Sequence, residues 1–343
     1  MSAKSSAITV SMRSALGLLE SAAGQGVAAE DLLARAGIDR SLLGIARARI
    51  SLKQFSRLYA GIASALEDEG LGLFSVPVRP GATETFCRVG ATTATLGECL
   101  QVMARACNAA MGGYKVECVA EDGELQIRFS ERLPDTPIKL LAYEITLLSI
   151  YAVLSWLVGQ RLPLAGADFP CAPPRHRFES HALLAGPARF DRPCGALRFP
   201  AQAAALHVVR NADEIPRFIR RAPASFIEAL LVGDTLASDV RHVLQQALPT
   251  LLSLPQVAEQ LALSPRTLHR KLEAGGASFQ QIKDNLRRDM ALHLLNRGRT
   301  PLKQIATSLG FSDQSTFQRA FAQWTGVAPG EYRRRTKATL SSS

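Results

Sequence analysis

The sequence predicts an α+β N-terminal domain followed by an all-α C-terminal domain that carries two helix-turn-helix units joined by a long helix. Three observations support this division. A chain of 343 residues exceeds what one hydrophobic core usually serves. Basic charge gathers at one end: residues 236–343 hold 15 Lys and Arg against 7 Asp and Glu, a net +8, whereas the preceding 235 residues hold 25 against 23 and stand at +2. Inside that basic segment a pattern of apolar and small residues occurs twice. A polyanion is the expected partner of such an asymmetry, and a solvated basic face is the alternative.

The N-terminal domain is assigned to residues 1–210, with a linker over 211–238. Residues 51–67 place Phe55, Leu58, Tyr59, Ile62 and Leu66 at spacings of three and four, which predicts an amphipathic helix opened by Ser51. From Tyr114 to Phe129 two β-rich runs flank Asp122 and Gly123, a dipeptide suited to a tight antiparallel hairpin. The stretch from Ile145 to Val158 is strongly apolar. Its 14 residues, preceded by Lys139 and Glu144, are too few to cross a bilayer, so it reads as a buried or interface helix. Prolines recur between 163 and 200, where short runs such as Ala188 to Phe190 and Ala196 to Phe199 predict loops and edge strands.

The C-terminal domain is assigned to residues 239–337, with a disordered tail over 338–343. Val257, Ala258, Leu261, Leu263 and Ser264 recur 48 positions later as Ile305, Ala306, Leu309, Phe311 and Ser312. Thr267, Leu268, Arg270 and Leu272 recur 49 later as Thr316, Phe317, Arg319 and Phe321, so one residue is inserted after the second turn. Each copy has the pattern of two short helices around a turn. In the first, Ser264 is the expected cap and Pro265 suits the first helical turn, while Leu268 and Leu272 face inward. Arg266, His269 and Arg270 are left on the outer face, where a major groove could receive them. In the second, Gly310 supplies the turn, Ser312 is the expected cap, and Phe317 and Phe321 point inward. Gln314, Ser315, Gln318 and Arg319 then face out. Arginine pairs with guanine and glutamine with adenine through two hydrogen bonds, so both copies carry side chains able to read base edges.

Between the copies, Phe279 to Asn296 reads as one helix with Phe279, Ile282, Leu286, Met290, His293 and Leu294 along a stripe. Eighteen helical residues span roughly 27 Å. With the widths of the flanking helices added, the two recognition helices fall about one DNA turn apart, roughly 34 Å.

These residues make the C-terminal segment similar to the DNA-binding domain of the AraC/XylS family of transcription regulators, from about Leu254 to Arg335. Gly310, Phe311, Ser312, Phe317, Arg319, Phe321, Gly326, Pro329 and Tyr332 match the family signature; the first copy matches less fully but in register. The resemblance implies base-reading positions at Arg266, His269 and Arg270 and at Gln314, Ser315, Gln318 and Arg319. Ser264 and Lys303, beside the helices, are assigned at most to phosphate. Residues 178–200 and 208–226 resemble segments near the end of the small-molecule-sensing domain in a subgroup related to ornithine-utilisation regulators.

The resulting expectation is a cytoplasmic, sequence-specific regulator of transcription, an activator gated by a small-molecule effector. Its partners are double-stranded promoter or operator DNA, RNA polymerase, the effector and a second copy in a homodimer. No membrane, metal or cofactor is expected. A repressor or a ligand-independent regulator would use the same DNA-binding mode. The competing class, a DNA-repair enzyme fused to a DNA reader, needs an activated cysteine. Cys87, Cys99, Cys107, Cys118, Cys171 and Cys194 include no pair at C-x-x-C spacing, and His176, Glu179 and His181 form no ligand pattern. Unpaired, scattered cysteines suit a reducing compartment, and the first twenty residues lack an apolar run of signal-peptide character.

Overall fold

The computed structural model describes residues 9–45, 48–131, 137–173, 184, 186–231, 236–274, 278–296 and 300–334. The sites raised at His176, Glu179 and His181, the residue Arg335 and the tail from 338 lie outside them. The described residues open with strand β1 (Thr9–Ser11), helices α1 (Met12–Gly24) and α2 (Ala29–Ala36), strand β2 (Arg49–Ser51) and helix α3 (Leu52–Leu66). α3 is the helix expected at 51–67. Ser51 accepts the Gln54 N–H at 3.2 Å and donates its own N–H to Gln54 Oε1 at 2.9 Å, a reciprocal cap. Phe55, Leu58 and Ile62 form its buried face.

Helices α4 (Ala82–Gly90) and α5 (Leu96–Ala110) precede the predicted hairpin, β3 (Tyr114–Glu121) and β4 (Glu124–Glu131). Asp122 and Gly123 turn it with φ of 52° and 73°, the positive values that a two-residue connection demands. Helix α6 (Pro137–Val158), strands β5 (Gly166–Asp168), β6 (Ala188–Arg189) and β7 (Gly195–Pro200), and helices α7 (Ile215–Ile219) and α8 (Ala224–Leu231) complete this region. The sheet runs β3-β4-β7-β5-β6, antiparallel except between β5 and β6. Leu125, Ile127, Phe129, Leu197 and Phe199 face the core. The other face carries an ion network in which Arg189 grips both Asp168 oxygens at 2.8 Å and Arg198 links Asp168 (3.2 Å) to Glu124 (2.9 Å).

α6 is longer than the 14 apolar residues suggested. It has 22 residues and includes Lys139 and Glu144, and its Ile138–Val158 span is long and apolar enough to cross a membrane by length and composition. Tyr143, Leu147, Tyr151, Leu154 and Leu157 along it are nonetheless fully buried in the core over the sheet. Gly195 permits the approach, since a Cβ there would stand 2.5 Å from Tyr143 Cδ1.

From 236 onward the described residues are helical: α9 (Leu236–Ala247), α10 (Leu254–Gln260), α11 (Pro265–Ala274), α12 (Phe279–Asn296), α13 (Leu302–Ser308) and α14 (Gln314–Thr325). α12 is the expected long helix, but its buried stripe differs. Ile282 and Leu286 are buried as predicted; in its second half Ala291, Leu292 and Leu295 are buried, and His293 and Leu294 only partly so. The buried face changes because α12 serves the core of the first helix pair with its first half and packs on α14 as well.

The chain divides into two units. One comprises residues 21–27 and 62–233; the other comprises residues up to 20, 28–61 and 234 onward. This departs from the expected limits at 210 and 239, because the opening segment groups with the helical C-terminal part. The join is polar and buried. Thr9 donates its hydroxyl to Asp289 Oδ1 on α12 at 2.7 Å, and Arg49 donates through Nε to Thr9 Oγ1 at 2.7 Å. Arg241 and Arg288 also pair with Asp289, at 3.1 and 3.2 Å, and Tyr332 donates its hydroxyl to the Arg49 carbonyl at 3.1 Å. Burial, with Arg288 adding repulsion, draws the Arg49 guanidinium down to about 9.

Candidate nucleic-acid interface

α10 and α11 form the first helix pair. Ser253 caps α10 in a reciprocal box with Gln256, and Pro255 occupies its first turn, where no N–H is needed. The helix closes with Leu263 N–H on the Ala258 carbonyl at 2.9 Å, which puts Ala262 in the left-handed region at φ 53°. Ser264 then caps α11 as expected, accepting the Thr267 N–H at 3.1 Å. Val257, Ala258, Leu268 and Leu272 are buried together with Ile282 and Leu286 of α12. Arg266, His269 and Arg270, three and four apart, are left exposed on the opposite face of α11. His269 Nδ1 lies 3.4 Å from Glu273 Oε2, one turn further along.

The second pair, α13 and α14, repeats the plan. Phe311 N–H closes α13 on the Ala306 carbonyl at 3.0 Å, and Gly310 takes the left-handed position at φ 70°. The cap of α14 corrects the expectation of Ser312: Asp313 accepts the Thr316 N–H at 2.7 Å and the Thr316 hydroxyl at 2.8 Å, while Ser312 donates to Asp313 at 3.0 Å. These donors, the Thr316 backbone first, hold the Asp313 carboxyl down at about 2. The residue inserted between the copies falls at this cap. Phe317 and Phe321 are fully buried, with Phe311, Trp324 and Tyr332 in ring contact around them. Ser315 and Arg319 are exposed on the face away from the two phenylalanines; Gln314, seven residues before Phe321 and so on its side of the helix, and Gln318, on the flank, are only partly exposed, which corrects the expectation that all four face out. Arg319 also reaches Thr316 Oγ1, at 3.4 Å.

Each pair thus offers one helix whose outer face holds long donors or amides, and whose inner face is fixed by packing. That combination suits insertion into a major groove: the rigid side sets the position, and the free side reads base edges. Lys303 is exposed in the first turn of α13.

Two segments match known families. Residues 26–208 match the arabinose-binding N-terminal domain of AraC transcription regulators, and residues 257–335 match a helix-turn-helix domain. The chain belongs to the AraC family. It is a DNA-binding regulator of transcription. The ornithine utilization regulator of Pseudomonas aeruginosa is 27% identical over 317 residues, covering 92% of this chain and 94% of its relative. The regulator VirS of Mycobacterium tuberculosis is 34% identical over 127 residues, 36% of this chain and 37% of VirS. Among solved structures, the regulator CdpR of Pseudomonas aeruginosa is 21% identical, with 74% of this chain and 81% of that one covered and a TM-score of 0.29.

In this AraC-family regulator the residues singled out for base reading lie on α11 and α14 in two groups, of which Arg266, His269, Arg270, Ser315 and Arg319 are exposed and Gln314 and Gln318 partly buried. Sequence reasoning missed Asp289, Arg49 and Thr9. A carboxylate in the RRDM run of α12 reads as a solvated charge, and nothing local shows that a strand 280 residues away donates to it. Asp313 was within reach, since Asp ranks beside Ser as a cap.

Proposed function

We propose that this regulator is an activator gated by a small-molecule effector, which docks α11 and α14 into successive major grooves of one operator. Arg266, His269 and Arg270 read the first half-site, and Gln314, Ser315, Gln318 and Arg319 the second. The observation that carries the reading is the repeated pairing of a packed inner face with an exposed, hydrogen-bonding outer face on both helices. Because the relative from Pseudomonas aeruginosa is named for ornithine utilization, basic amino acids are the first effector class to screen. The effector belongs in the unit built on the sheet, and the same unit is the expected dimerisation element. RNA polymerase is the further partner, the setting is cytoplasmic, and the chain acts by binding rather than by catalysis.

Anisotropy titrations on an operator selected from random duplexes test the base contacts. Arg319→Ala is expected to weaken specific binding by about 1–3 kcal/mol and to relax preference at one base pair. Equal losses on selected and random DNA would reassign Arg319 to phosphate. A reporter fused to the selected operator fixes the sign: output that rises with effector supports activation, and output that falls makes the protein a repressor.

A further inference from the structure

The two helix pairs are tied to each other by contacts at the turn of the second pair and along α12. A Cβ on Gly310 would stand 2.4 Å from the Pro249 carbonyl oxygen and 2.7 Å from Leu251 Cγ. The turn of the second pair therefore lies directly on the backbone that leads into the first. Two cations one turn apart on α12 bond to the same two segments. Lys283 donates through Nζ to the Leu252 carbonyl at 3.3 Å. Arg287 donates through Nε to the Leu309 carbonyl at 3.1 Å, and its guanidinium lies over the Phe311 ring, 3.5 Å from the centroid. Leu309 and Phe311 flank Gly310, so the residue before it and the residue after it are both held by one arginine.

These contacts differ from those of the first turn. Ala262, the counterpart of Gly310, is exposed. The carbonyl at Leu309 is the end of α13, where a cation is favoured by the helix dipole, and the aromatic face adds a second attraction. Arg287 is half-buried, and burial lowers its guanidinium from the ordinary value. The carbonyl and the ring replace water around it.

We infer that Gly310, Arg287 and Lys283 form a clamp that fixes the second recognition helix relative to the first and thereby sets the spacing between half-sites that this protein accepts. Arg287 and Lys283 are positioning residues, not base readers. The inference rests on the proposed docking of both pairs on one duplex. A shift of one base pair displaces a half-site by about 3.4 Å along the axis, a distance a rigid reader cannot follow without losing contacts.

The test uses the full chain and a duplex that the wild type selects from a random pool, together with versions whose spacer is lengthened or shortened by one base pair and a duplex holding one half-site. The wild type is expected to lose at least about tenfold in affinity on either altered spacer, the scale of one or more disrupted base contacts. Arg287→Ala, shown folded by its melting curve, is expected to cut that discrimination to about threefold or less while binding the single half-site as the wild type does. Arg287→Lys restores a donor to Leu309 without the planar stack and is expected to fall between them. Lys283→Gln, at a less buried position, gives the same readout should Arg287→Ala fail to fold. Retention of the full spacing preference in these variants, or an equal loss on the single half-site, would overturn the clamp. Selection by the wild type of only one half-site would instead remove the two-groove reading beneath it, and the clamp with it.

Discussion

The two helix pairs share a plan and differ in how they are held. The first packs leucines and closes with Ala262 at φ 53° in an exposed turn. The second packs five aromatic rings and closes with Gly310, which has backbone against it. The first is capped by a hydroxyl and the second by a carboxylate. A turn open to solvent tolerates a strained alanine, whereas a turn under a neighbouring chain segment admits only glycine, so the second copy has fewer acceptable sequences. That is a physical reason for the fuller signature match between 305 and 335.

The comparison can be sharpened by matched substitutions, from the largest effect downward. Phe321→Ala is expected to cost about 3–5 kcal/mol and Leu272→Ala about 2–5; chemical denaturation of the two variants ranks the cores, and equal values would show that the aromatic cluster adds nothing. Gly310→Ala combines a left-handed backbone with a blocked Cβ and is expected to cost about 2–4 kcal/mol, read by the same denaturation. A loss below that of an ordinary exposed turn would mean that Pro249 and Leu251 yield easily. The Asp313 cap gives a pH signature. Its carboxyl is held below the unfolded value, so its stabilisation is complete above the ordinary carboxylate range and disappears as pH falls toward about 2. Asp313→Ala should therefore lower the melting temperature at neutral pH, and the difference from wild type should shrink on acidification. Ala262→Gly is the smallest change, expected to stabilise by about 0.5–1 kcal/mol through relief of the left-handed strain, net of the entropy glycine adds to the unfolded chain. Destabilisation instead would show that strain at φ 53° is negligible.

What was legible in the sequence was what short-range pattern governs. The repeat, the Asp122-Gly123 hairpin, the Ser51 and Ser264 caps and the outward faces of α11 and α14 depend on residues a few positions apart. The cap at Asp313 was ambiguous because two capping residues stand side by side where the copies differ in length. The extent of α6 was obscured by Lys139 and Glu144, which read as a boundary but lie within the helix. The grouping of residues 28–61 with the C-terminal helices was illegible, because it rests on Thr9, Arg49, Asp289 and Tyr332, polar residues whose burial no local pattern announces.

That last grouping bears on how the protein is made. Thr9 and Asp289 are separated by 280 residues. At about 5–20 residues per second of synthesis, strand β1 leaves the ribosome on the order of 14–56 s before the helix it bonds to. During that interval Thr9 lacks the buried carboxylate it bonds to, while the sheet unit is produced between them. The DNA-reading end is thus completed only when the last helices emerge, and a chain broken off early contains its first strand but no assembled reader.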